Sequence, residues 1–155
     1  MEQLTFITAV GPYHAHLVPS IRAQVEQQTH PCAHLIIADH ERRGPGAARN
    51  AGLAQAATPF VTFLDADDLI AETWAAETLD AFERHNGKRY IYTDHVQEDR
   101  VIAAPDCAWA RGTWHVITAL LPTAWALAVG GFDTTLPAFE DTDFYLRLLA
   151  HGYRG

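Results

Sequence analysis

The run Phe60-Val61-Thr62-Phe63-Leu64-Asp65-Ala66-Asp67-Asp68 decides how this chain is read, because an apolar stretch gives way without a spacer to three carboxylates. Four of its first five residues are apolar and the other is threonine, the pattern of a strand buried on both faces of a parallel sheet. The acids then fall at the carboxyl end of that strand, the edge where open α/β sheets bind ligands. Three acids so close together repel one another unless positive charge sits among them. A hard divalent cation held by carboxylate oxygens relieves that repulsion, and it can take its remaining ligands from substrate phosphates. A solvated acidic turn opening the next helix is the competing account, since Asp is favoured at N-caps.

Strands and helices alternate on either side of this run. Leu4 to Val10 is β-rich and is closed by Gly11-Pro12. From His14 to Gln28, Leu17, Ile21 and Val25 recur every four residues, with Gln24, Gln27 and Gln28 on other faces, which predicts an amphipathic helix. Ala33 to Ala38 is the second strand, ending on Asp39, so a strand–helix–strand unit delivers its carboxyl ends to the edge that carries the acids. Ala47 to Ala57 is alanine-rich and helical by propensity. Glu72 to His85 reads as a helix with Trp74, Leu79 and Phe82 inward, and Tyr90 to Tyr92 begins a fourth strand. Asp94 to Arg111 reads as a hairpin or ordered loop over the sheet edge, and Val116 to Phe132 as a core strand followed by a short helix. The expectation is one α/β domain with a mostly parallel sheet.

Composition narrows the partners. The chain has 155 residues, enough for a single core, with 48% hydrophobic and 19% charged residues, which are ordinary globular values. A net charge of -8, with only 11 basic residues and no basic run longer than Arg42-Arg43, argues against nucleic acid as a partner. Cys32 and Cys107 are far apart and form no CxxC pattern, which suggests neither a zinc site nor a disulfide framework. No spacing among the nine histidines matches a zinc motif. No signal peptide or transmembrane segment is visible, so the expected location is cytoplasmic, including the cytoplasmic face of a membrane.

A second acidic group, Glu140-Asp141-Thr142-Asp143, opens an apolar run from Phe144 to Leu149 and follows the flexible turn Gly130-Gly131-Phe132-Asp133. Acids at a helix start suit the helix dipole by themselves, and glycines bring backbone close to a ligand. The order of features is more specific than any single one. Gln28-Thr29-His30-Pro31, Leu35-Ile36-Ile37-Ala38-Asp39, Gly46-Ala47-Ala48-Arg49-Asn50-Ala51-Gly52, Phe63-Leu64-Asp65-Ala66-Asp67-Asp68, Gly130-Gly131-Phe132-Asp133 and Glu140-Asp141-Thr142-Asp143-Phe144 follow one another along almost the whole chain. Together they resemble the family 2 glycosyltransferases, inverting enzymes with the GT-A nucleotide-sugar fold, an α/β/α sandwich.

That resemblance implies a division of roles. The nucleotide-binding half covers about residues 1–94 and the acceptor and catalytic half about 95–155. Ala9, Val10, Gly11 and Tyr13 at the end of the first strand, with Asp39 after the second, would hold the nucleoside. Arg49 would lie by the diphosphate, where a guanidinium forks onto phosphate oxygens. Asp65 and Asp67 would form the metal motif for Mn2+ or Mg2+, with Asp67 the more direct ligand and Asp65 and Ala66 nearer the ribose. Asp68 would cap the next helix. Gly131 and Glu140 would contact the donor or acceptor, and Asp141 would be the general base that deprotonates the acceptor hydroxyl. The implied donor is a nucleotide-diphosphate sugar, commonly uridine-linked, and the implied acceptor a hydroxyl of a carbohydrate, a lipid-linked molecule or another compound. Trp109, Trp114 and Trp125 could line an acceptor subsite or pack in the core.

The chain departs from the family pattern in two places. Asp39-His40-Glu41-Arg42 stands where many relatives carry Asp-Asp-Gly-Ser, and the sequence stops at Gly155, where relatives usually continue through segments that shape the acceptor site. A second expectation, of a different class, is therefore a nucleotide-sugar-binding or assembly module on the same fold.

Overall fold

The computed structural model describes residues 2–103 and 117–155. Its seven strands are β1 (Leu4–Val10), β2 (Ala33–Ala38), β3 (Phe60–Phe63), β4 (Ile91–Tyr92), β5 (His95–Gln97), β6 (Arg100–Ile102) and β7 (Ala119–Pro122). Five form one sheet in the order β2-β1-β3-β7-β4, and β5 and β6 pair separately as a hairpin. β1 lies parallel to both β2 and β3, with Ile7 opposite Leu35 on one side and Phe63 on the other. β7 runs antiparallel to β3 and to β4, so one strand of the five opposes the rest. The mostly parallel sheet expected from the sequence is present.

The helices are α1 (Val18–Glu26), α2 (Pro45–Leu53), α3 (Trp74–Arg84), α4 (Thr123–Ala128) and α5 (Glu140–Ala150). Among the helix boundaries that differ from the sequence expectation, those at the start of the first helix and the end of the second have identifiable reasons. The first helix is α-helical only from Val18, after a short 3-10 turn over Ala15–Leu17, because Pro19 can occupy only the first turn of an α-helix. α2 stops at Leu53 rather than Ala57. Leu53 is its last buried residue, Ala54, Gln55 and Ala57 are exposed, and alanine propensity alone does not prolong a helix beyond the face it buries.

Strand alternation splits the core into two layers. Leu4 and Phe6 of β1, with Leu64 and Leu120, pack against Ile21 and Val25 of α1 and Trp74, Ala75 and Leu79 of α3. Ile7, Val61, Phe63 and Leu121 face the other way, onto Leu53 of α2, Ala126 of α4, and Phe144, Tyr145 and Leu148 of α5. Helices therefore cover both faces in an α/β/α sandwich. α2 approaches β1 so closely that a Cβ on Gly52 would run into the Ile7 side chain.

Polar side chains of the first helix region also differ from expectation. Gln28 is buried, and Gln24 and Gln28 hold the segment that follows the acidic run. Gln24 Oε1 accepts from the Ile70 N–H at 2.9 Å, while Gln28 accepts from the Ala75 N–H at 3.0 Å and donates to the Ala71 carbonyl at 2.8 Å. Periodicity marks them as polar and outward, but they satisfy backbone groups of a loop too irregular to pair with itself.

The β5–β6 hairpin occupies part of the stretch expected to be a hairpin or ordered loop. Cys107, Trp109 and Trp114 lie outside the described residues. Trp125 stacks on Tyr153 with ring centroids 4.5 Å apart and packs against the core. No helix among the described residues is long and apolar enough to cross a membrane.

Candidate active site

The carboxyl ends of β1, β2 and β3 share one edge, and β1 sits between the other two, the position at which an α/β sheet opens a crevice. Ala9 and Val10 end β1, and the Asp39 N–H donates to the Val10 carbonyl at 2.9 Å, closing β2 onto that end. Gly11 turns the chain, with its carbonyl accepting from the His14 N–H, and Tyr13 beyond it is exposed. The Asp39 carboxylate is engaged locally. Its two oxygens accept the N–H groups of Arg43 at 2.9 Å and Gly44 at 2.7 Å, which shapes the approach to α2. The turn lacks the glycine of the family pattern, and left-handed backbone falls on Arg42 instead, at φ 55°.

At the end of β3, Ala66 is buried and Asp67 and Asp68 face solvent. The Asp68 N–H donates to the Asp65 carbonyl at 3.2 Å, folding the three acids into a tight turn. Partial burial, with the Asp65 and Asp67 carboxylates alongside, pushes the Asp68 carboxyl up to about 6. The turn thus holds negative charge that it does not itself neutralise. Asp67 makes no hydrogen bond or ion pair among the described residues, and Asp65 spends only Oδ1. Such oxygens fit a hard divalent cation. No three metal-binding side chains converge among the described residues, so a cation held here would take its other ligands from water or phosphate, as magnesium does.

Arg49 joins this turn to the second acidic group. Its guanidinium donates from one terminal nitrogen to Asp65 Oδ1 at 2.7 Å and from the other to Glu140 Oε1 at 2.8 Å. It lies over the Phe132 ring, 5.4 Å from the centroid. Burial works against its charge, but the Asp65 and Glu140 carboxylates outweigh burial and hold it above the usual arginine range. The next residue, Asn50, clamps Phe132, accepting its N–H and donating to its carbonyl, both at 2.8 Å. Gly131 takes φ 69°, and a Cβ there would strike the Asn50 amide. At Gly46 a Cβ would lie 3.3 Å from Phe132 Cβ and 3.4 Å from Glu140 Cγ. α2 is therefore seated directly on the Gly131–Glu140 segment.

Glu140 and Asp141 open α5, with Phe139 before them in left-handed backbone, φ 62°. Both acids are half-buried. Asp141 uses Oδ1 to accept the Thr142 N–H at 2.7 Å, leaving its other oxygen without a protein partner among the described residues. Asp143 pairs with Arg147 at 2.8 Å, one turn along the helix. A cavity of about 330 Å³ adjoins Glu140, lined by the Arg42–Ala47 segment and by Asp133 to Pro137.

The structure thus brings the β3 acids and the α5 acids together through Arg49, and places Ala9, Val10, Gly11, Tyr13 and Asp39 along the same sheet edge. Sequence reasoning missed the part played by Asn50 and Phe132. The available signal was Arg49-Asn50 between two glycines in an alanine-rich helix, where small residues mark a close approach.

The family described as Glycosyl transferase family 2 matches residues 20–121. The chain belongs to that family. No curated protein sequence matches it. Solved structures with the same fold include S. aureus TarS, 16% identical with a TM-score of 0.77 over 96% of this chain and 33% of that one. The 1–349 form of TarS in complex with UDP-GlcNAc is 17% identical, with a TM-score of 0.75 over 96% of this chain and 55% of that one. The mannosyltransferase PcManGT from Pyrobaculum calidifontis, in complex with GDP-Man and Mn2+, is 18% identical, with a TM-score of 0.74 over 98% of this chain and 53% of that one. The fold is accordingly the GT-A sandwich, and the family 2 chain spans about a third to just over half the length of these proteins.

Proposed function

We propose that this family 2 domain transfers a glycosyl group from a nucleotide-diphosphate sugar, with a uridine nucleotide as the first candidate, to an acceptor hydroxyl, with inversion at the anomeric carbon. The observation that carries the proposal is the Asp65–Arg49–Glu140 bridge, which puts a metal-suited acidic turn and a second acidic helix start into one cleft. TarS in complex with UDP-GlcNAc and PcManGT in complex with GDP-Man and Mn2+ support the donor class by analogy of fold.

The end of β1 and Asp39 form the nucleoside side of the cleft, where Tyr13 offers an exposed ring to stack on a base. Asp67, with the second oxygen of Asp65, would hold Mn2+ or Mg2+, which when bound supplies charge neutralisation for the departing nucleoside diphosphate. Asp141 accepts the proton of the attacking hydroxyl through its uncommitted oxygen, so one displacement with one base inverts the centre. Gly131 and Glu140 line the approach between donor and acceptor.

The test is release of nucleoside diphosphate from a panel of sugar nucleotides with Mn2+ or Mg2+, comparing wild type with Asp141→Asn. Metal-dependent turnover that falls by about 100- to 10,000-fold in the variant supports the proposal. Turnover indifferent to the substitution removes Asp141 as base. Binding without any turnover by wild type assigns the domain to donor binding or assembly instead.

A further inference from the structure

An arginine expected beside the diphosphate is committed elsewhere. Its side chain retains 5% exposure, against 18% for Glu140 and 39% for Asp65, so Arg49 lies behind its two partners and they, not it, face the cleft. Both terminal nitrogens of the guanidinium fork are occupied by carboxylate oxygens, and Phe132 covers one face. Its three remaining N–H groups stay with a guanidinium set behind those carboxylates, so a bidentate phosphate contact would have to draw this buried group out past its partners.

We propose that Arg49 is a positioning residue, bracing Asp65 at the end of β3 against Glu140 at the start of α5 and so setting the spacing between the donor-side and acceptor-side acids. The inference rests on the function proposed above. Asp65 and Glu140 come from elements 75 residues apart, and no strand pairing ties the α5 start to β3. Phe63 of β3 packs on Phe144 one turn into α5, and Arg49 adds the polar tie between the two acids themselves. By holding Oδ1 of Asp65 it leaves Oδ2 without a partner among the described residues, and by holding Glu140 it braces the first turn of α5, where Asp141 follows directly. The double clamp of Asn50 on Phe132 keeps α2 itself in place, so the brace has a rigid footing.

The experiment separates a brace from a phosphate ligand. Affinity for UDP with Mn2+ is measured by calorimetry, and kcat and KM for sugar-nucleotide turnover are measured alongside, for wild type, Arg49→Lys, Glu140→Gln and the double variant. An ammonium keeps the charge but cannot span both carboxylates. Arg49→Lys is expected to hold UDP within about threefold of wild type while kcat falls by about tenfold or more with KM little changed. Glu140→Gln, which weakens the brace at its other end by removing the charge, should lower kcat similarly, and the double variant should be no worse than the poorer single one. Loss of UDP affinity by about tenfold or more in Arg49→Lys, unchanged kcat in both single variants, or multiplicative effects in the double variant each overturn the brace. If Arg49→Lys does not fold, Glu140→Gln alone decides between lowered and unchanged kcat. A wild type that binds no nucleotide defeats the proposed function instead. The brace is then judged by urea unfolding of the same four proteins, where additive losses overturn it and a double variant less destabilised than the sum supports it.

Discussion

Asn50 holds both backbone polar groups of Phe132, receiving its N–H and donating to its carbonyl at 2.8 Å in each case, across 82 residues of sequence. A side-chain amide carries N–H donors and a carbonyl acceptor in the same plane, and few other side chains can match a backbone pair in that way. Asn50→Asp retains the acceptor but turns an anion toward the Phe132 carbonyl. It should destabilise the fold by about 1–3 kcal/mol in urea unfolding, the cost of an unsatisfied buried group. Loss of less than a few tenths would mean that the clamp is not maintained in solution.

The two neighbouring glycines should respond differently to alanine. Both take left-handed backbone, at φ 83° for Gly130 and φ 69° for Gly131. A Cβ at Gly130 meets open space, whereas one at Gly131 strikes the Asn50 amide. Gly130→Ala should cost about 1 kcal/mol of backbone strain, and Gly131→Ala clearly more, because it also breaks the Phe132 clamp. Thermal unfolding of the pair checks the ranking, and equal losses would count against a tight approach at Gly131.

His34 predicts an acid sensitivity. Burial, with Arg22 nearby, pushes its imidazole down to about 4 from an ordinary 6.5. One ring nitrogen pairs with the Thr8 hydroxyl at 3.0 Å, and Nδ1 is buried without a hydrogen-bond partner among the described residues. The unfolded chain therefore binds the proton more readily, so stability contributed by neutral His34 falls as pH drops from 6.5 toward 4. The urea midpoint of wild type minus that of His34→Gln should be level above pH 7 and should decline through that window. A flat difference would remove His34 as the cause.

Asp68 gives the opposite sign. Its carboxyl is raised from 3.8 to about 6, so its ionisation costs stability as pH rises through that interval and the cost is complete above 6. In EDTA, Asp68→Asn should melt above wild type at pH 8 and level with it near pH 4. The same substitution should leave Mn2+-dependent UDP binding in place, whereas Asp67→Asn should abolish it. Reversal of that order would reassign the metal-facing acid to Asp68.

Much of the fold was legible in the sequence. Leu4 to Val10, Ala33 to Ala38 and the Phe60 strand sit where their apolar runs predict, the two inner strands because burial on both faces needs a mostly apolar segment and the edge strand because it pairs along β1. The acids at the end of β3 and at the start of α5 were visible for a related reason, since charge following an apolar run must emerge at an edge. Arg49 was legible as a motif residue, but its pairing with Asp65 and Glu140 was not. On a sequence, an arginine in an alanine-rich helix is as consistent with solvent or phosphate as with a buried pair.

Alternating apolar runs and the placement of glycine, proline and acids were enough to specify strands, helices and the edge where the acids gather, because those signals are local. Which acids meet was decided only by the tertiary structure. Asp65 and Glu140 share one guanidinium because α2 packs tightly enough on β1, through Gly52, and on the Phe132 turn, through Asn50 and Gly131, to bury Arg49 between them. That arrangement depends on contacts between distant segments, and burial makes the pairing obligatory, since a charge removed from water must find its partners inside the protein.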